Sequence, residues 1–445
     1  EAVSDSFYFV RQPLAGNGSI TARVTSLTGL IPVLSSSGGD MRPGLAPWAK
    51  AGIIIKASTR QGSAYAAMMV TGSHGVRMQY NYTLDIAGLP GTVSAASPRW
   101  LRLTRSGDVF TGYDSADGTH WIKVGAAHLA GLPATVQAGL FTTSPQYAQV
   151  MSQSFGGQGS AAGGPTQATA AFDHLTRQGT WPGGAWTGEE IGGSGNAPPA
   201  QRGGFHQAGG GFTVSGSGDI APAVSGAAGL GTTIAQTLLG TFAGLIAAIV
   251  VATMFITAEY RRGLVRTTFA ASPRRGQVLA AKAIVIGAVT FIAGLAAAAI
   301  VVTLGQRILR GNGVYVSPVT ALTGLRVVAG TAALLAVAAV LALALGAVLR
   351  RSAVAAAAVI VVIVVPYLLA LSVLPAGASD WLLRIAPAAA FAVQQTQPQY
   401  PQVSNVYTPA FGYYPLAPWA GLAVLCAWAA LALGLAFFLL RRRDA

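Results

Sequence analysis

Acidic residues run out where the long apolar runs begin. Of the 14 Asp and Glu in this 445-residue chain, only Glu259, Asp380 and Asp444 lie beyond residue 230, against 15 Lys and Arg there. Most of the formal net charge of +14 therefore belongs to the second half. A strongly basic soluble chain points to nucleic acid. Here the basic residues stand at the ends of apolar runs, the pattern of membrane topology, and nucleic acid is not an expected partner. Cysteine is nearly absent: Cys426 is alone and lies inside an apolar run, which excludes an intrachain disulfide or a cysteine metal site among these residues. The five histidines, His74, His120, His128, His174 and His206, all fall in the first half without ligand-like spacing. No GxxxxGK[ST] occurs, so these residues carry no phosphate-cradling loop for a nucleotide. No signal-peptide apolar region follows Glu1.

The first half reads as short strands separated by turn residues. Ser19–Val24 alternates, with Ile20, Ala22 and Val24 on one face. Val76–Tyr80 and Trp100–Arg105 do the same, while Ala51–Lys56 is a continuous apolar run suited to a strand covered on both faces. Gly16-Asn17-Gly18, Gly38-Gly39-Asp40, Ser106-Gly107-Asp108 and Asp117-Gly118 are turn signals. The pattern predicts an all-β sandwich or jelly roll over 1–180. Asp117-Gly118 reads foremost as a hairpin turn with Trp121 capping the core beside it; Asp108, Asp114 and Asp117 are close in sequence but lack calcium-loop spacing. Residues 181–230 are rich in Gly, Ala and Ser, yet Trp181, Trp186 and Ile191 are more apolar than a linker requires. The expectation is that this segment packs back on the sandwich.

The order of FYFVRQPLAGNGSITARV, WAKAGIIIK, GSAYAAMMVT, PRWLRLTRSGDVFTGYDSADGTHWIKVG, AGLFTTS and ATAAFDHL resembles concanavalin A-like, LamG-like sandwich modules. Phe212–Ile220 resembles the first strand of such a module. The resemblance implies a binding or accessory unit with a glycan or protein ligand, and no catalysis.

Residues 231–445 contain five segments apolar over about 20 residues, the length that crosses the hydrocarbon core: 233–257, 283–304, 327–349, 353–374 and 419–440. In a bilayer these are helices, since the backbone must satisfy itself. Gly240 and Gly244 have GxxxG spacing, and Pro366 is expected to kink the fourth span. With residue 1 outside, 258–282, Arg350-Arg351 and the tail Arg441-Arg442-Arg443 are cytoplasmic and hold 11 of the 15 basic residues. The positive-inside rule favours that orientation. An external first half needs an export element, and a sixth helix upstream of residue 1 is the expected one, with a cleaved signal as its rival. After the fourth span, Ser379 is expected to cap a short interfacial helix carrying Trp381, Leu382, Leu383 and Ile385, followed by an aromatic stretch with Tyr400, Tyr407, Phe411, Tyr413 and Tyr414 that reads as an interfacial belt.

Between the first two spans lies the densest block of positive charge, Ala258–Lys282, with Glu259 as its one acid. Glu259-Tyr260-Arg261-Arg262-Gly263, then Thr267, then Ser272-Pro273-Arg274-Arg275, then Lys282 resembles as a set the first cytoplasmic loop of ABC-2 type transporter permeases. The Ser379–Pro387 segment also resembles that family. The resemblance implies a six-helix permease fold, five of its helices lying in 231–445 and the sixth expected upstream of residue 1, and a loop that docks on a separate ABC ATPase subunit, with ATP and Mg on that partner and no cofactor on this chain. It further implies a second permease subunit, a homodimer being the simplest form, in a bacterial cell membrane, moving substrate outward. Glu259, a lone acid among bases, is expected to pair with an arginine of the loop or of the partner. Few ionisable groups lie inside the spans, which argues against proton or ion coupling. The rival readings are a membrane-anchored glycan-binding or adhesion protein, for which one helix would suffice, and a membrane-bound glycosidase, for which no convincing carboxylate pair is visible.

Overall fold

The computed structural model describes residues 3–33, 40–150, 161–193, 202–226, 232–261, 275–372, 374 and 376–442. Its contacts divide the chain into two compact units, one built of strands and one of helices.

The strand unit holds β1 (Val3–Asp5), β2 (Phe7–Pro32), β3 (Met41–Pro43), β4 (Lys50–Lys56), β5 (Tyr65–Thr71), β6 (Val76–Tyr80), β7 (Leu84–Ala87), β8 (Arg99–Ser106), β9 (Val109–Ser115) and β10 (Ile122–His128). It continues with β11 (Thr135–Thr143), β12 (Tyr147–Val150), β13 (Ala161–Gly164), β14 (Gln167–Thr180), β15 (Thr187–Ile191), β16 (Gly204–Ala208), β17 (Gly211–Gly216) and β18 (Ile220–Pro222). The main antiparallel path runs β10-β9-β8-β2-β11-β4-β5-β6-β7. β2 is the organising strand. Its first part, up to Ala15, pairs with β11, and Gly18–Val24 pairs with β8. Gly16-Asn17-Gly18, read from sequence as a turn, is instead the corner of this long strand: Gly16 sits at φ +66°, where a side chain would be strained.

Strand periodicity produces two cores. Ile53 and Ile55 point with Val10, Ile20, Leu101, Leu103 and Phe172 into the larger one, while Ile54 points with Phe7, Phe9, Tyr65, Phe141 and Ile220 into a smaller one on the reverse face. All seven residues of β4 are buried, so the strand is covered on both sides. The Gly-rich segment after residue 180 is part of this unit. β15 pairs with β2 from Thr187 opposite Arg11 to Ile191 opposite Phe7, β17 pairs with β14, and β18 pairs with β1. The Arg177 guanidinium lies 5.6 Å from the Trp181 ring and 5.5 Å from the Trp186 ring, and Trp186 meets Phe212 edge-on. Tyr400–Val406 also belongs to this unit: Val403 packs with Ala221 and Val224, and Gln402 Nε2 donates to the Thr83 carbonyl at 3.0 Å.

At both ends of β4 a lysine is fully buried. Lys56 Nζ donates to Asp5 Oδ2 at 2.7 Å, and Lys50 Nζ donates to Asp219 Oδ1 at 2.6 Å and to the Ile220 carbonyl at 2.7 Å. These lysines tie β1 and the entry to β18 to the central strand.

The helical unit holds α1 (Ile234–Thr237), α2 (Thr241–Arg261), α3 (Arg275–Gly311), α4 (Ala321–Leu349), α5 (Ser352–Ser372), α6 (Ala376–Ile385) and α7 (Pro418–Arg442). Among the described residues, five helical segments are long and apolar enough to cross a membrane: Ile234–Glu259, Gly276–Gly311, Ala321–Leu349, Ser352–Leu371 and Pro418–Arg442. α3, at 37 residues, is about 55 Å long, well beyond the roughly 30 Å hydrocarbon core. α4 is the central helix, with Ala332, Ala338, Ala339, Ala342 and Ala344 all buried, so that α2, α3 and α7 approach it closely. Close glycine contacts include Gly294 against Ala332, Gly346 against Ile256 and Gly421 against the Ala389 carbonyl. Gly240 has open space beside it and Gly244 only an ordinary contact with Leu335, so the GxxxG spacing brings no helix of this unit close.

Two further differences lie near α6. Ser379 sits inside the helix and is buried, because α6 begins at Ala376, three residues before Ser379. Then Pro387–Gln394 forms a 3-10 helix with every residue buried. Gln394 Nε2 donates to Thr241 Oγ1 and Thr331 Oγ1, each at 3.2 Å. Tyr413 and Tyr414 are buried rather than set in an interfacial belt. Phe242, Tyr367 and Phe391 form an aromatic group with centroid separations of 4.7–5.1 Å.

Candidate functional site

The candidate site is the connection between α2 and α3. Tyr260 and Arg261 are the last two residues of α2, and Arg275 is the first of α3. Arg262, Gly263, Thr267, Ser272, Pro273 and Arg274 lie outside the described residues. The structure brings together the two outermost residues of the motif: the Lys282 ammonium forms an ion pair with Glu259 Oε1. Lys282 Nζ also lies 5.5 Å from the centre of the Phe255 ring. Phe255 and Glu259 are four residues apart, hence on one face of α2, and that face receives the lysine. Lys282 reaches Glu259 because it lies on the second turn of α3, across from the last turn of α2; Arg262, Arg266 and Arg274, the loop arginines also expected as partners of Glu259, lie outside the described residues.

A second contact was not legible in the motif. The Phe437 ring of α7 occupies the space where a Cβ on Gly276 would stand. The Arg441 guanidinium lies 4.1 Å from the centre of the same ring, and Arg442 lies 4.5 Å from that of Phe438. Aromatic residues one turn before terminal arginines form cation–π pairs at the helix end. The basic end of α7 and the first turn of α3 are therefore one packed group. A bare glycine at the start of a helix, where a helix former would serve better, was the available signal.

In the strand unit the aspartates do structural work. Asp117 Oδ1 accepts from the backbone N–H groups of Thr119 and His120, each at 2.8 Å, and Gly118 sits at φ +80°. This is a side-chain-closed turn. His120 Nδ1 is 2.6 Å from Asp117 Oδ2. That hydrogen bond holds the Asp117 carboxyl far below the usual carboxylate range and raises the His120 imidazolium. Trp121 does not cap the core: its half-buried ring lies 3.9 Å from the Arg102 guanidinium on the sheet surface. Asp114 turns inward, where Oδ2 accepts from Leu89 N–H at 2.7 Å and burial pushes its pKa up. Among the described residues no group of three or more His, Cys, Asp or Glu could hold a metal ion.

A search of curated proteins gives no match. Solved structures similar to the chain include a scytalido-glutamic peptidase with a transition state analog inhibitor (12% identity, TM-score 0.28, covering 47% of this chain and 98% of that one). Others are a functionally unknown protein from Saccharomyces cerevisiae (16% identity, TM-score 0.25, 40% and 77%) and the GH43 protein BlXynB from Bacillus licheniformis (18% identity, TM-score 0.21, 37% and 28%). At these scores none of them carries an argument about activity. The sequence model described as ABC-2 family transporter protein matches residues 134–445. The match covers more than half of the chain, takes in all five membrane-capable helices and begins inside the strand unit, just before β11. The chain is a multi-pass membrane protein and belongs to the ABC-2 transporter family.

Proposed function

We propose that this chain is the membrane-spanning permease subunit of an ATP-binding cassette exporter. A separate ABC ATPase subunit, holding ATP and Mg, drives it, and a second copy of the permease completes the complex. The observation that carries this reading is the family match over 134–445 together with five apolar helices that have 11 of the 15 basic residues beyond residue 230 at one set of ends. Placing 258–282, Arg350-Arg351 and the C-terminus in the cytoplasm satisfies the positive-inside rule and puts the strand unit outside as an extracytoplasmic, concanavalin A-like sandwich. In this reading the connection from Ala258 to Lys282 docks on the ATPase and carries its closure into the helices as rigid-body motion. The arginines serve both the topology and the docking surface.

The test is purification of the solubilised complex from its native membrane, followed by ATP hydrolysis and mass analysis. An ABC ATPase co-purifying in fixed ratio with Mg-dependent turnover is the expected result. A homogeneous preparation with no ATPase chain and no turnover would overturn the assignment.

A further inference from the structure

The connection between α2 and α3 is long enough that its covalent continuity alone does not hold the two helix ends together. Residues 262–274 span, if extended, roughly 40 Å. Among the described residues, the ends are joined by the apolar core that Ile256 shares with Leu279 and Ala283 and, beside it, by the ion pair between Glu259 and Lys282, whose side chains are only 28% and 12% exposed. A carboxylate already taken up by an ammonium beside the Phe255 ring is a poor docking contact for another protein. It is a good fastening, since an ion pair partly withdrawn from water is screened less than one on an open surface. The start of α3 is fixed a second time, by Gly276 lying against Phe437 of α7, and the other partner of that ring is Arg441.

We propose that Glu259 and Lys282 are positioning residues that clasp the two ends of the coupling loop, and that Gly276 seats this clasp on α7 through Phe437. The loop then moves α2, α3 and α7 together as one lever. This rests on the reading of the loop as the ATPase-docking element. It divides the motif in two: the outer residues Glu259 and Lys282 hold the lever, and docking belongs to the residues between them.

The experiment uses the whole permease–ATPase complex in proteoliposomes and three variants: Glu259→Lys, Lys282→Glu and the double exchange. ATPase co-purification, ATP turnover and the rise in turnover on adding membrane-extracted substrate are measured for each. Each single variant is expected to keep its ATPase but lose substrate stimulation by about tenfold, within the usual range of coupling effects. The double exchange is expected to regain most of it. A double exchange no better than the singles overturns the clasp, and so does loss of ATPase binding in the singles, which would make these residues docking contacts. A wild-type chain that retains no ATPase would instead remove the permease reading, and the clasp with it. Should the charge variants aggregate, Gly276→Leu and Gly276→Leu/Phe437→Ala decide the matter: the first is expected to uncouple and the second to recover. Equal coupling in both and in wild type counts against the seat on α7.

Discussion

Replacing Lys56 with Met should weaken the strand unit by about 3 kcal/mol, the lower end of the cost of removing one partner of a buried ion pair. Lys56 and Asp5 are both essentially inaccessible to solvent and meet at 2.7 Å. Asp5 Oδ2 also accepts from the Tyr82 hydroxyl at 2.8 Å and from Gly62 N–H at 2.7 Å. Without the ammonium the carboxylate keeps two neutral donors and loses its counter-charge, which sets the estimate near the bottom of the range rather than the top. Burial already lowers the Lys56 pKa against the opposing pull of Asp5, so the pair's net contribution is smaller than its breaking cost. The two effects separate in the double variant Lys56→Met/Asp5→Leu. There no charge is left buried and Tyr82 keeps the Ser63 carbonyl at 2.9 Å as acceptor, so more than half of the loss should return. Hydrogen exchange of the β4 amides in the solubilised full chain is the assay, because it reads opening free energy without complete denaturation. A loss of about 3 kcal/mol is a fall in protection of somewhat over a hundredfold. Protection in Lys56→Met within about threefold of wild type, or a double variant worse than the single, would refute the reasoning.

Other outcomes follow from the same contacts. Asp173 is held below the usual carboxylate range by its two hydrogen bonds from Arg23. Its stabilisation is therefore present above the unfolded pKa of about 3.9 and lost as pH falls through the lowered folded value. Asp173→Asn should narrow the stability difference between pH 7 and pH 3, measured by denaturant titration. His120, raised by Asp117, should titrate in NMR above the ordinary imidazole value and fall back towards it in Asp117→Asn; its small contribution is present at low pH and lost as pH rises through the folded pKa. Gln394→Leu removes the bridge between Thr241 and Thr331 and should cost about 1 kcal/mol, read as a lower melting temperature in detergent. Gly421→Val, facing the Ala389 carbonyl, should destabilise the helical unit far more than Gly244→Val, whose added Cβ would meet only Leu335 at 3.8 Å.

What sequence reveals here depends on how local the cause is. Each membrane-crossing run carries its own length and hydropathy, and Ile20, Ala22 and Val24 announce a strand face by alternation, so these elements are visible without knowledge of their neighbours. The burial of Lys50 and Lys56 depends on Asp219 and Asp5, far away in sequence, arriving beside them. The 3-10 helix Pro387–Gln394 is too short to register as a span, yet its Ala-rich run after Pro387 is buried from end to end. In the candidate site, Glu259 and Lys282 stand out by residue type and position. Their pairing with each other depends on two helix ends meeting in space. Gly276 owes its meaning to Phe437, which the chain reaches only at the end of α7.

The most direct test of the account replaces residues 262–274 with a Gly-Ser segment of equal length. That change removes Arg262, Arg266, Arg274, Ser272 and Pro273 while leaving Glu259, Arg261, Arg275, Gly276 and Lys282 in place. Vanadate-sensitive ATP hydrolysis and ATPase retention are then measured in nanodiscs against the unaltered complex. The account predicts a folded, monodisperse chain that no longer retains or stimulates its ATPase; full retention and stimulation would contradict it.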